Sequence, residues 1–191
     1  HIAALYLTYP QLKPPFLCLV ASGGHSHIVQ VESYTRFRVL GRTVDDAAGE
    51  AFDKVARTLG LGYPGGPAVA KAALGGSETA YPLPTPHVEG AYNVSFSGLK
   101  TAVLNAVNRA RQAGEEVDVP GMAASFQWRI TEILAEKLLA AARDTGAARI
   151  CIAGGVGANE ALRRKVQQGA QAPGDQVFLP PLSLCGDTAA L

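Results

Sequence analysis

Phe16-Leu17-Cys18-Leu19-Val20-Ala21-Ser22-Gly23-Gly24-His25-Ser26-His27-Ile28-Val29-Gln30-Val31 is the stretch whose reading decides the fold. A continuous apolar run from Phe16 to Ala21 meets a glycine turn and then a second strand-like segment, so two strands fold about the turn. Gly23 and Gly24 have no Cβ, which permits a sharp turn and lets an oxyanion reach the backbone N–H groups, with the Ser22 hydroxyl as an added donor. An ordinary hairpin turn accounts for the same residues equally well on this stretch alone.

Upstream, residues 1–7 are mostly apolar and suit a helix, and Pro10, Pro14 and Pro15 stop it, so 1–14 reads as a helix tail and linker. Downstream, Arg36 to Val44 alternates apolar and polar residues, with Phe37 and Val39 on one side, as in a half-exposed strand. Strands at about 16–21, 27–32 and 36–43 therefore form an antiparallel meander. Thr43 stands three residues before Asp46, a capping-box spacing that predicts a helix from there to Gly60. On it Ala48, Phe52, Val55, Ala56 and Leu59 share an apolar side, while Asp46, Glu50, Asp53 and Arg57 share the other. That second side is either a solvated face with an Asp53–Arg57 pair or a carboxylate face bordering a site.

A glycine-rich loop, Gly60 to Pro67, follows, with Pro67 suited to the first turn of a short helix ending at Leu74. Gly75 to Gly90 is loop, and His87 in it reads as a surface histidine. Tyr92 to Phe96 is expected to be a short strand, and Ser97-Gly98 to cap a helix whose outward face carries Lys100, Arg109 and Arg111. Gly121 to Asp144 is apolar around much of its helical circumference and should be buried between layers, with Trp128 as packing. The whole of about 60–145 reads as a helical insertion. Arg149 to Ala153 is a buried strand leading into Gly154-Gly155-Val156-Gly157-Ala158-Asn159 and a helix through Gln168, a second glycine turn at a helix N-terminus. Arg163, Arg164 and Lys165 form the only basic cluster, read as the helix's wet face. A last strand lies at about 176–179, and Asp187 reads as the N-cap of a further helix at 187–191.

The 191 residues, 48% hydrophobic and 17% charged, suffice for one domain or one lobe with its own core. A formal net charge of +1 gives no overall basic field, so a nucleic acid would have to be met by a local patch. No apolar run approaches the length of a membrane helix. The three cysteines, Cys18, Cys151 and Cys185, lack C-x-x-C spacing and read as reduced core thiols, which suits a cytoplasmic protein. Starting at His1 rather than Met, the chain reads as a fragment.

Three antiparallel strands, a helix, a helical insertion, then strand, helix and strand make an α/β fold: a mixed five-stranded sheet covered by helices. That order is the order of a ribonuclease H-like lobe of the actin-like, sugar-kinase and Hsp70 type, residues 15–186 here. The second glycine turn is not a dinucleotide fingerprint, since its G-G-x-G lacks the G-x-G-x-x-G spacing.

Five sequence words are more specific than the fold: Leu19 to His25; Asp45-Asp46-Ala47-Ala48-Gly49-Glu50-Ala51-Phe52-Asp53-Lys54; Tyr63-Pro64-Gly65-Gly66-Pro67; Ser95-Phe96-Ser97-Gly98-Leu99-Lys100-Thr101; and Ala153-Gly154-Gly155-Val156 with Asn159. In this order, end to end, they resemble the tRNA N6-adenosine threonylcarbamoyltransferase family. The resemblance implies transfer of threonylcarbamoyl from its adenylate to N6 of the adenosine beside the anticodon, in tRNAs reading codons that begin with A. It implies adenylate contacts at Val20, Ala21, Ser22, Gly23, Gly24, Asp53, Gly66 and Asn159, with Asp46, Glu50, Gly154 and Gly155 as further candidates. It implies one divalent ion, iron or zinc, held by His1, Asp187 and a histidine preceding His1. The partners implied are tRNA, a dimerising paralogue, and the ATPase and threonylcarbamoyl-AMP synthase subunits of the modification machinery.

The chain departs from the family pattern around Asp187, where Gly186 and Thr188 flank it instead of the usual Cys-Thr-Asp-Asn, and at Gly157, where Ser or Ala is more usual. The match covers a second lobe with connectors and lacks most of a first lobe, so the chain alone is expected to be inactive. Two other readings remain at this stage: an ATP-dependent sugar-kinase or chaperone lobe, for which Asp46 or Glu50 would be the base, and a non-catalytic paralogue serving as assembly partner.

Overall fold

The computed structural model describes residues 1–185. Helix α1 (Ile2–Thr8) precedes strands β1 (Phe16–Ala21), β2 (Ser26–Ser33) and β3 (Arg36–Arg42). Helices α2 (Ala48–Thr58), α3 (Gly65–Ala73), α4 (Ser97–Gln112) and α5 (Val119–Thr145) follow. Then come β4 (Arg149–Ala153), a 3-10 turn (Gly155–Ala158), α6 (Glu160–Gly169), β5 (Gln176–Phe178) and a last 3-10 turn (Leu182–Leu184). The five strands lie in the order β3-β2-β1-β4-β5. β1 runs antiparallel to β2 and parallel to β4, so the sheet is mixed as expected.

β1 is central and buried along its whole length, and its period-2 alternation divides the core. Leu17, Leu19 and Ala21 join the larger cluster with α2 to α6; Phe16, Cys18 and Val20 join the smaller one with Leu5 of α1. The predicted apolar stripe of α2 is buried at Ala48, Phe52, Val55 and Ala56, and Phe52 meets Phe126 of α5 edge-on at 5.3 Å and 88°. α5 is capped by Asp118, whose carboxylate accepts Gly121 N–H at 3.0 Å, and ends at Gly146 in the left-handed region. All three cysteines are free and buried, and burial pushes the Cys151 thiol up to about 12.

The structure corrects four sequence expectations. The Thr43–Asp46 capping box does not start α2, which begins at Ala48. Thr43 stays extended because its N–H donates to Ser26 O at 2.9 Å, and its hydroxyl closes a turn on Asp46 O at 2.6 Å. Tyr92 to Phe96 forms no strand: a single parallel bridge joins Thr43 and Val94, since Asp45 takes up the next two amides, Phe96 and Ser97. Lys100 faces Asp46 instead of solvent, leaving Arg109 and Arg111 exposed on α4. In the basic cluster of α6 only Arg164 is exposed. Arg163 donates to Gly157 O at 2.6 Å and to Pro180 O, and Lys165 donates to Trp128 O at 2.7 Å while lying over its ring. The expected helix at 187–191 lies outside the described residues.

Candidate functional site

The turn between β1 and β2 is held from inside. Ser22 N–H donates to His25 O at 2.8 Å, and His25 N–H donates to the Ser22 hydroxyl at 3.2 Å. Ser22 is therefore buried, and its hydroxyl oxygen is an acceptor within the turn, which restricts its expected role as a donor to its one hydrogen. The amides of Gly23 and Gly24 have no protein partner among the described residues, and both glycines stand exposed with open space on their Cβ side. Both amides are free to donate to an anion or to water.

The same turn caps α2. Ser26 Oγ accepts Ala48 N–H at 2.9 Å, and Ser22 O accepts Gly49 N–H at 3.1 Å. A Cβ on Gly49 would lie 2.7 Å from Gly23 Cα, so only glycine lets α2 approach this closely. A glycine inside a predicted helix is the signal by which Gly49 could have been found in the sequence.

The second glycine turn lies against the end of β1. Gly154 has φ +92°, and a Cβ there would sit 2.3 Å from Ala21 O. Val20 and Ala21 are thus enclosed: Val20 pairs with His27 and Ala153, Ala21 pairs with Ser26, and both side chains are buried. Gly155 is exposed beside them. Asn159 caps α6, its Oδ1 accepting Leu162 N–H at 3.0 Å, and its Nδ2 donates to Gln127 Oε1 at 2.9 Å.

Asp53 is the link to α3. Its Oδ1 accepts Gly65 N–H at 2.8 Å and supplies the cap that Pro64 has no side chain to provide. A Cβ on Gly65 would meet Asp53 Cα at 2.4 Å, whereas Gly66 has open space. A cleft of about 420 Å³ between α3, α5 and α6 is lined by Ala70, Gln127, Trp128 and Arg164 among others, and Gly66 is not among its lining residues.

The carboxylates of the α2 face are neutralised by lysines. Asp46 receives Lys100 Nζ at 2.7 Å and Lys54 Nζ at 3.4 Å, and Lys54 also pairs with Glu50 at 2.8 Å. Burial alone would raise the Asp46 pKa; the hydrogen bond and charge of Lys100, then Lys54, outweigh it and hold the carboxyl below its usual range. Asp46 and Glu50, the two candidate bases of the kinase reading, are thus both ion-paired to lysines. Asp45, unassigned from sequence, caps α4 through Phe96 N–H at 2.8 Å and Ser97 N–H at 3.2 Å.

Among the described residues no three His, Cys, Asp or Glu side chains come together as a metal site. His1 stands exposed at the start of α1, and Asp187 lies outside the described residues.

The β3-β2-β1-β4-β5 mixed sheet covered by helices is a lobe of the actin-like and sugar-kinase fold class. Solved structures agree on the fold. Full-length HypF in its phosphate- and nucleotide-bound form superposes with a TM-score of 0.68 at 13% identity, over 97% of this chain and 33% of that one. Component A of the Acidaminococcus fermentans (R)-2-hydroxyglutaryl-CoA dehydratase gives 0.52 at 15% identity, over 95% and 60%. The chain belongs to the tRNA N6-adenosine threonylcarbamoyltransferase family, whose profile matches residues 1–191. Proteins of that name from Desulfitobacterium hafniense (strain Y51) and Clostridioides difficile (strain 630) are 51% and 46% identical to it over its whole length. The chain spans 56% and 57% of those two relatives.

Proposed function

We propose that this chain forms the adenylate-holding part of an enzyme that transfers threonylcarbamoyl from threonylcarbamoyl-AMP to N6 of the adenosine beside the anticodon, in tRNAs reading codons that begin with A. The observation that carries this reading, within the family assignment, is the pair of unpartnered amides at Gly23 and Gly24, with Gly154 pressed on the strand that leads to them. The exocyclic amine attacks the carbamoyl carbonyl and AMP leaves, so negative charge gathers on the phosphate. The two amides are suited to receive that charge without reorganising. Val20 to Gly24 and Gly66 border the nucleotide, and Asp53 and Asn159 contact it while setting the starts of α3 and α6. Asp46 and Glu50 serve Lys54 and Lys100, as supports of α2 and α4.

A divalent ion, iron or zinc, with His1 and Asp187 among its ligands, belongs to the whole protein; bound, it would act as a Lewis acid toward the carbonyl or phosphate oxygen. Partners in this reading are tRNA, a dimerising paralogue, the ATPase and the threonylcarbamoyl-AMP synthase, in the cytoplasm. No helix among the described residues is long and apolar enough to cross a membrane.

The test is carried out on the full-length protein with its partner subunits: threonylcarbamoyl-AMP and tRNA are supplied, and modified adenosine and AMP are measured. Equal amounts of both are expected. Sugar-dependent ADP formation with no modified tRNA would establish a kinase instead, and no adenylate binding at all would leave a scaffold.

A further inference from the structure

The side-chain amide of Asn159 has two ends, and both are engaged inside the protein. Oδ1 accepts the α6 amide of Leu162 at 3.0 Å, and Nδ2 donates to Gln127 Oε1 at 2.9 Å. The polarity of this relay is set by its first member: a backbone N–H can only donate, so Asn159 must present Oδ1 to Leu162 and therefore Nδ2 to Gln127. Gln127 in turn must present its oxygen. Gln127 sits on α5, 32 residues away in sequence, half-buried at the edge of the cleft between α3, α5 and α6. The backbone of α5 at this point is fixed independently, since Thr131 Oγ1 donates to Gln127 O at 2.7 Å and Lys165 Nζ to Trp128 O at 2.7 Å.

We propose that Gln127 is a positioning residue for nucleotide binding: its oxygen holds Nδ2 of Asn159, so that the second Nδ2 hydrogen and the second lone pair of Oδ1 are aimed in a fixed direction for the ligand. This rests on the reading of Asn159 as an adenylate contact. Without the Gln127 oxygen the Asn159 side chain keeps its cap on α6 but loses the restraint on its other end, and a ligand must then order it on binding. The ground state and the transition state share the same adenosine, so the effect falls on binding rather than on the chemical step.

Three variants of the full-length enzyme test this. Gln127→Met conserves volume and removes the acceptor; Gln127→Glu keeps an oxygen in place; Asn159→Ser keeps the cap and removes the amide. Circular-dichroism melting establishes that each is folded. Steady-state kinetics with threonylcarbamoyl-AMP, and AMP binding by calorimetry, give the readout. One neutral hydrogen bond corresponds to about a three- to tenfold change. The expectation is that Gln127→Met raises KM and the AMP dissociation constant by that factor with kcat nearly unchanged. Gln127→Glu should restore both to near the wild-type values, and Gln127→Met added to Asn159→Ser should cost nothing further. A Met variant that binds like wild type, a loss confined to kcat, or a Glu variant no better than Met would overturn the assignment of Gln127. Wild-type enzyme that binds neither AMP nor the adenylate would instead overturn the functional reading beneath it.

Discussion

Asp53 Oδ1 accepts the N–H of Gly65 at 2.8 Å, and the backbones at these two residues are so close that a Cβ on Gly65 would reach 2.4 Å from Asp53 Cα. The adjacent glycine, Gly66, has nothing within 4 Å on its Cβ side. The two neighbours are therefore distinguishable by experiment. Gly65→Ala is expected to push α3 off α2 and to destabilise the fold by about 1–3 kcal/mol. Gly66→Ala is expected to leave the melting temperature near the wild-type value while weakening nucleotide binding severalfold. Thermal melts and AMP titrations of both variants check this, and equal loss of stability in the two would contradict the geometry.

The same contrast exists at the first glycine turn. A Cβ on Gly49 would lie 2.6 Å from Ser22 O and 2.7 Å from Gly23 N, whereas one on Gly24 would meet nothing within 4 Å. Gly49→Ala should break the contact between α2 and the turn and cost stability on the order of 1–3 kcal/mol. Gly24→Ala should fold normally and lose affinity for phosphate-bearing nucleotides, as followed by chemical denaturation and by competition binding with AMP.

Asp45 replaces a local cap on α4. Removing its carboxylate leaves the amides of Phe96 and Ser97 without their acceptor, so Asp45→Ala should cost about 1–2 kcal/mol. Asp45→Asn, which keeps one oxygen, should recover much of that. Hydrogen exchange at Phe96 and Ser97 is the direct measurement: protection should fall in the Ala variant and largely return in the Asn variant.

Acid should act through the same stretch. Burial would raise the pKa of Asp45 and of Asp46, but the first is held down by hydrogen bonds from Phe96, Ser95 and Ser97, and the second by Lys100 and Lys54. A depressed folded-state carboxylate contributes stability that is complete above its unfolded pKa and is lost as pH falls through the folded one. The contribution should therefore be intact above about pH 5 and decline below about pH 4, where an unfolded Asp begins to protonate. Urea midpoints between pH 6 and pH 3 check the sign. Asp46→Asn should flatten part of the acid limb, and a steeper limb would contradict the Lys100 pairing.

Much of the fold could be read in the chain. The two glycine turns, the apolar stripe of α2, the broad apolar surface of α5 and the buried strand at 149–153 came from patterns a few residues long, and each is where it was expected; the five family words came from resemblance. Less legible were the residues whose meaning depends on a distant partner. Asp46 looks like a capping-box residue or a base until Lys100, 54 positions away, is brought to it. Tyr92 to Phe96 looks like a strand until Asp45 claims its last amide. Arg163 looks like part of a wet basic face until Gly157 O and Pro180 O are found to receive it.

By itself the sequence determined the continuous apolar run that buries both faces of β1 and membership of the family. The first follows from side-chain volume and backbone geometry, which are properties of neighbours in the chain, and the family from the resemblance of five sequence words. Only the tertiary structure decided who satisfies each helix start: Ser26 for α2, Asp53 for α3 and Asp45 for α4, with Asn159 of α6 bound in turn to Gln127. The physical reason is that unpaired N–H groups at a helix start must find an acceptor, while the acceptor's place in sequence is unconstrained. Folding brings residues 22 to 51 positions distant to serve α2 and α4, and leaves the amides of Gly23 and Gly24 without a partner among the described residues.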